Sequence, residues 1–439
     1  MKYLLIAIVA GLLFVPLPEA MQLFTPPATE HQTVYDTFPL FIWLQAGSRG
    51  LFGGSDLAAR LPDAVIGIIT LLTLYAIGKR QADSNLGIWW ALVYAGSWMP
   101  HLLFRSGLAA PLYNYFVFLS VYFAYRIGYT VKPFRMAVVS GLCLGLAVLT
   151  QGPAAIPISL LIMLVYWVAN KGKTSIRLTH TVILLLTACL PIALWLIYAG
   201  ITAGWTFAGN FYSYQARLLP GMFLRGSFYY WTLLPGCFPA SVFLFSYLQK
   251  RKRRSLYTVR QPLDMKDLSV WMWSMFWVVL LASPSTLYYL PLSFLAARQV
   301  YRIAEGRLTM KGWNTVLLLV TGIILGIGLI LLPVVGVYKE VLSTYARDAS
   351  IRAYLQANVP WSLWEMAYGL LYILLVAVSC VLLLRKKYQE GLLLLFLSTM
   401  VFIAVSLLHF GPKVEEHTKK RVVSYQLSVK EPYRYNAIH

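Results

Sequence analysis

The sequence predicts an all-α integral membrane protein with roughly thirteen transmembrane helices, each needing about 20 apolar residues. Three observations lead there. Of the 439 residues, 59% are apolar and only 12% charged, about half the charged share of a soluble domain. Mean hydropathy is +0.66. Long apolar runs recur along the chain with basic residues between them. So few charges could not clothe a soluble protein of this length, and the same composition excludes disordered and disulfide-rich classes.

The candidate spans run 3–17, 62–78, 87–104, 108–125, 135–150, 153–169, 180–200, 228–248, 269–283, 286–304, 314–337, 366–384 and 391–408. The first reads as an uncleaved span; a secretory signal cleaved near Ala20 is the alternative. Orientation follows from charge. With the N-terminus in the cytoplasm, Lys2, Lys79–Arg80, Arg126/Lys132/Arg135, Lys171/Lys173/Arg177, Lys250–Lys266, Arg298–Lys311 and Arg385–Lys387 all fall inside, as the positive-inside rule requires. Residues 1–408 then form a membrane domain with external segments 18–61, 201–227 and 338–365. The remainder, 409–439, is a short external tail. Within the first external loop, Phe38–Phe52 (FPLFIWLQAGSRGLF) is amphipathic enough to lie in the interface, and Gly53–Gly54 breaks it.

The formal charge of +21 would suggest nucleic acid in a soluble protein. Here the basic residues flank membrane spans, and Lys250–Arg254 (KRKRR) reads as a membrane anchor. Cys143, Cys189, Cys237 and Cys380 lie in or beside apolar runs with no Cys-x-x-Cys spacing, so neither a disulfide framework nor a zinc site is expected. The six histidines are scattered, and His101, after Pro100 at a span end, reads as a hydrogen-bonded structural histidine. No phosphate loop, His-x-x-x-His or Gly-x-Ser-x-Gly is present. Few charges lie mid-span, which argues against a transporter.

Five segments carry a resemblance. Phe38–Ala46 (FPLFIWLQA) is followed by Leu51-Phe52-Gly53 and Ala58-Ala59-Arg60-Leu61-Pro62. Then come Tyr94–Pro100 with Arg105-Ser106-Gly107, Leu146–Pro153 (LAVLTQGP), Gly236–Ser241 (GCFPAS) and Tyr288–Ala297 (YYLPLSFLAA). Together, over about residues 1–310, they resemble the polytopic GT-C glycosyltransferases related to aminoarabinose transferase and protein O-mannosyltransferase. The resemblance implies a GT-C fold with interfacial helices in the first external loop. It also implies transfer of a sugar from a polyprenyl-phosphate carrier to a lipid or envelope glycan, at the outer face of a bacterial inner membrane. Such chemistry needs a carboxylate to act on the acceptor and cations, preferably arginine, to hold the leaving phosphate.

Where those groups belong, this chain departs from the family pattern. The first loop opens with Asp-Glu in the family, but here Val15–Ala20 reads VPLPEA, with Glu19 at the Glu and Pro18 or Leu17 at the Asp. Thr37-Phe38-Pro39 replaces Lys-Pro-Pro. Ala109 or Ala110 stands where a second Asp is usual. Gln151 replaces the lysine of Thr-Lys-Gly-Pro, and Ser283–Thr286 lacks the lysine that often precedes Tyr-x-Leu-Pro. Two readings remain open. Either the catalytic groups have moved, with Asp36, Glu19 and Glu30 as candidate carboxylates, or the chain is a degenerate paralogue that binds a lipid-linked sugar or partners a homologous transferase. Arg60, Arg105 and Arg217 are the candidate ligands of a lipid phosphate; interfacial snorkelling is the alternative for each. Some family members use a divalent metal, and no metal ligand set is assigned here.

Overall fold

The structure is a computed structural model that describes residues 2–14, 38–53, 56–105, 107–172, 176–222, 236–248, 263–282, 286–345 and 359–434, and helix is the only regular structure among them. The chain packs as two compact units, Met1–Val15 with Glu30–Leu308, and Pro16–Thr29 with Thr309–His439. The first unit contains α1 (Lys2–Phe14), α2 (Pro39–Phe52), α3 (Asp56–Gln81), α4 (Ser84–Ala95), α5 (Trp98–Leu103), α6 (Ala110–Ile127), α7 (Pro133–Gln151) and α8 (Ala155–Ala169). It continues with α9 (Leu178–Ala203), α10 (Trp205–Met222), α11 (Ala240–Leu248), α12 (Leu263–Ala282) and α13 (Tyr289–Ala304). The second contains α14 (Gly312–Val337), α15 (Lys339–Tyr345), α16 (Met366–Leu384) and α17 (Tyr388–Arg434).

Among the described residues six stretches are long and apolar enough to cross a membrane: Leu57–Gln81, Pro133–Gln151, Leu178–Thr202, Gly312–Val337, Leu363–Leu384 and Tyr388–Lys413. Lys2–Phe14 and Ala155–Ala169 are apolar but shorter. The chain is a multi-pass membrane protein. The expected span 87–104 is two helices, because α4 closes on the Gly96 amide, 2.7 Å from the Leu92 carbonyl, and α5 restarts at Trp98. Only residues 236–248 of the expected 228–248 span are described, with helix over Ala240–Leu248. Helix α17 runs through position 408 without a break, so the residues read as a tail begin as a continuation of the last span.

Helix packing in the first unit depends on glycine. A side chain at Gly141 would stand 2.2 Å from the Leu184 carbonyl oxygen, and one at Gly145 2.4 Å from that of Ala188. The Gly-x-x-x-Gly face of α7 thus lets α9 approach backbone to backbone, the contact that replaces hydrophobic driving force between helices in lipid. Gly326 of α14 does the same for Gly369 of α16 in the second unit, where a Cβ on Gly369 would lie 2.7 Å from the Gly326 oxygen, and Gly322 makes room for the Val376 side chain. There Tyr372 also stacks on Phe402 of α17 at 4.4 Å.

Helix α13 is buried along almost its whole length and forms the core of the first unit. Trp90 donates to Ser293 Oγ at 3.0 Å, the Tyr289 hydroxyl donates to the Tyr94 carbonyl at 2.9 Å, and Tyr301 donates to Asp83 at 2.7 Å. Asp83 also caps α4 through the Leu86 amide at 2.8 Å. At the end of the bundle that the charge pattern assigns to the cytoplasm, Asp267 accepts from Tyr129 at 2.7 Å, from Tyr166 at 2.9 Å and from Asn170 at 3.0 Å. Burial first, and then the Asp267 carboxylate, raise the pKa of the Tyr129 hydroxyl, so it remains a donor.

Two outcomes follow. Gly145→Leu forces α7 off α9 and should cost about 1–3 kcal/mol or more, seen as a lower unfolding midpoint in detergent; an unchanged midpoint would show that the close contact contributes nothing. Asp267→Ala leaves the Tyr129 and Tyr166 hydroxyls without this acceptor, while Asn170 keeps its bond to the Tyr166 oxygen at 2.8 Å, and should cost about 1–3 kcal/mol, with Asp267→Asn milder; equal midpoints for the two variants would rule out the carboxylate as the clamp.

Candidate functional site

The segment that carries the first-loop signature is built around Pro62. Proline has no amide to donate, so in a helix it leaves the carbonyl four residues earlier without its partner. That carbonyl belongs to Ala58. Ser48 Oγ of α2 donates to it at 2.5 Å. Gln45 Nε2, one turn earlier on α2, donates to the Ala59 carbonyl at 3.0 Å and to the Gly107 carbonyl at 3.3 Å. Helix α2 is therefore tied both to the start of α3 and to the turn after α5. That turn needs a positive φ of 69° at Gly107, a conformation that only glycine adopts readily.

Two of the expected phosphate ligands meet here. Arg60 is 6% exposed and donates through Nη1 to the Arg105 carbonyl at 3.4 Å. Arg105 is 3% exposed; its Nε and Nη2 donate to the Leu13 carbonyl at 3.1 and 2.6 Å. A cation on the last turn of a helix satisfies an orphan carbonyl and suits the dipole, so Arg105 caps α1. Its Nη1 is buried without a partner. The third expected ligand, Arg217, is exposed on α10. Helix α10 packs through Phe211, whose ring lies 4.7 Å from Trp195 of α9 and 5.5 Å from Phe38 before α2. No contact joins Arg217 to Arg60 or Arg105 among the described residues. The expected carboxylates Glu19, Glu30 and Asp36 lie outside the described residues.

One carboxylate escaped the sequence reading. Asp63 is fully buried, and neither of its oxygens has a hydrogen-bond partner. Arg60 lies one turn earlier on the same helix, and the backbone amides of Gly107 and Leu108 face it outside hydrogen-bond geometry. The available signal was an acid inside an apolar span, which lipid tolerates only with a function or a partner. His101 is also fully buried; its Nε2 lies 2.7 Å from the Ala95 carbonyl, so that nitrogen carries the proton. Among the described residues no group of three His, Cys, Asp or Glu side chains is placed to hold a metal ion. The site thus joins two buried arginines, a buried acid and a glycine turn that α2 ties down.

Comparison with known proteins locates this arrangement. Residues 36–198 match the family described as dolichyl-phosphate-mannose-protein mannosyltransferase. The fold matches the crystal structure of ArnT from Cupriavidus metallidurans bound to undecaprenyl phosphate, with a TM-score of 0.63 and 14% identity over 95% of this chain and 76% of that one. It matches the apo ArnT of the same organism with a TM-score of 0.59 and 16% identity over 94% and 77%. A search of curated proteins finds no match. Helix α2, the Arg60 segment and the turn at Gly107 all fall within the matched residues, which make up less than half of the chain, and over nearly its whole length the chain shares the fold of these two ArnT structures.

Proposed function

We propose that the chain is a membrane glycosyltransferase that moves a sugar from a polyprenyl-phosphate donor to a lipid or envelope glycan at the outer face of a bacterial inner membrane. The observation that carries this reading is the fold correspondence, over nearly the whole chain, with a structure that holds undecaprenyl phosphate. In the reaction, an acceptor oxygen attacks the anomeric carbon of the sugar. The bond from that carbon to the phosphate oxygen breaks, and the acceptor proton passes to a carboxylate. Polyprenyl phosphate leaves with the extra negative charge. Asp36, just before the interfacial helix, is the proposed carboxylate, with Glu19 and Glu30 as the other two candidates in the first loop. Arg60, Arg105 and Arg217 are the proposed cations for the leaving phosphate. Arg105 suits the role because its Nη1 is an arginine donor still unanswered. No step is assigned to a metal ion. The N-terminus is placed in the cytoplasm and the C-terminus outside, on the charge pattern alone.

A second reading has a specific support. Five polar positions of the family pattern are lost while the apolar frame remains, and Arg60 and Arg105 both donate to backbone carbonyls. On this reading the chain is a degenerate paralogue that binds a lipid-linked sugar or partners an active homologue.

Purified protein offered radiolabelled polyprenyl-phosphate sugar and an envelope-lipid extract separates the two. The transferase yields labelled product, and Asp36→Asn lowers turnover by a factor of about 10²–10⁴ while donor binding persists. Full turnover in Asp36→Asn would exclude that residue, and donor binding without product in the unaltered protein, beside an active homologue, would favour the degenerate reading. Arg60→Ala should abolish donor binding; unchanged binding would remove Arg60 from the phosphate site.

A further inference from the structure

The second unit contains a polar cluster that the proposed transfer chemistry does not use. It sits where α16 begins and where the apolar run of α17 ends, the end that the charge pattern places outside. Glu365 is only 9% exposed. Its Oε1 accepts from Lys413 Nζ, and His409 Nε2 lies 3.4 Å from the same oxygen without hydrogen-bond geometry. Its other oxygen, Oε2, is buried with no partner. Aromatic rings surround the three. Trp361 lies parallel to Phe410 at 6.0 Å, Lys413 stands over the Trp361 ring at 4.9 Å, and Tyr368 lies 5.2 Å from His409 and 5.8 Å from Phe410. The His409 side chain is 36% exposed, so the cluster has an open side.

An ion pair that served only to join α16 and α17 would use both carboxylate oxygens or be replaced by apolar packing at less cost. Here one oxygen is left desolvated and unanswered, which is unfavourable unless something else fills the place. The unanswered groups are the buried Oε2 of Glu365, the spare N–H groups of the Lys413 ammonium and the imidazole of His409. Glu365 and Lys413 cancel, so the cluster prefers neither anions nor cations. Neutral hydroxyl groups arranged to both donate and accept, on a ring whose apolar face can meet an aromatic edge, match that set. We propose that Trp361, Glu365, Tyr368, His409, Phe410 and Lys413 form a carbohydrate subsite for a neutral sugar, free or lipid-linked, at the water-facing end of the second unit. It goes beyond the transferase reading and stands whether or not the chain transfers sugar.

The test uses the full-length protein in a detergent without a sugar headgroup, since a maltoside or glucoside would compete. Saturation-transfer NMR with methyl glycosides reads the free-sugar form, and a short-chain lipid glycoside reads the linked form. Ring-proton saturation is expected in the unaltered protein, with binding weaker by about tenfold or more in Glu365→Gln. His409→Ala leaves the Glu365–Lys413 pair in place and should weaken binding with an unchanged unfolding midpoint, so it decides the matter if Glu365→Gln does not fold. Absence of saturation in the unaltered protein, or equal saturation in both variants, would overturn the proposal. So would saturation confined to a phospholipid headgroup. Saturation lost in Arg60→Ala but kept in Glu365→Gln would belong to a donor site in the first unit, and would overturn the subsite while leaving the transferase reading intact.

Discussion

Pro62 removes one amide from α3 at the edge of an apolar environment, and much of the candidate site follows from how that loss is made good. In a bilayer every backbone polar group must find a partner within the protein. The Ala58 carbonyl finds Ser48, which requires α2 to lie against α3. Once α2 is there, Gln45 reaches both Ala59 and Gly107, and the turn that carries Arg105 is held in place. The Arg105 guanidinium then caps α1. Helix α2, the start of α3, the turn after α5 and a buried arginine are thus held by the answer to one missing N–H.

The same economy bears on chemistry. Arginines that the sequence offers as phosphate ligands are, in the folded chain, already engaged with backbone oxygens, yet neither Arg105 nor Asp63 is fully satisfied. Groups left unanswered in low dielectric are costly, and sites that bind charged substrates tend to keep such groups.

Much of the architecture was legible in the sequence because membrane spans announce themselves by length and apolarity. The runs at 135–150, 180–200, 314–337, 366–384 and 391–408 all correspond to long apolar helices. The reading failed where composition hides a break. Residues 87–104 carry no Asp, Glu, Lys or Arg, and only the run Gly96-Ser97 with Pro100 signals that the chain stops and restarts. It also passed over Asp63, since a single acid amid Leu, Pro, Ala and Val hardly changes a hydropathy window. Pro62 was legible as a motif residue, but its consequence was not, because the donors that answer it come from another helix. The Glu365–His409–Lys413 cluster was invisible for a similar reason: Glu365 lies 48 residues before Lys413 and meets the His409–Lys413 face only when α16 and α17 pair.

The Gly-x-x-x-Gly face of α7 has a consequence for biogenesis. Its partner α9 is separated from it by α8, so during membrane insertion the grooved face must wait through one further helix before it is covered. In water an exposed docking face awaiting its mate invites aggregation. In lipid it does not, since acyl chains solvate glycine and leucine surfaces almost equally well. The pair can therefore form late and by lateral diffusion, selected by fit alone, and the order in which helices leave the translocon need not match the order in which they associate.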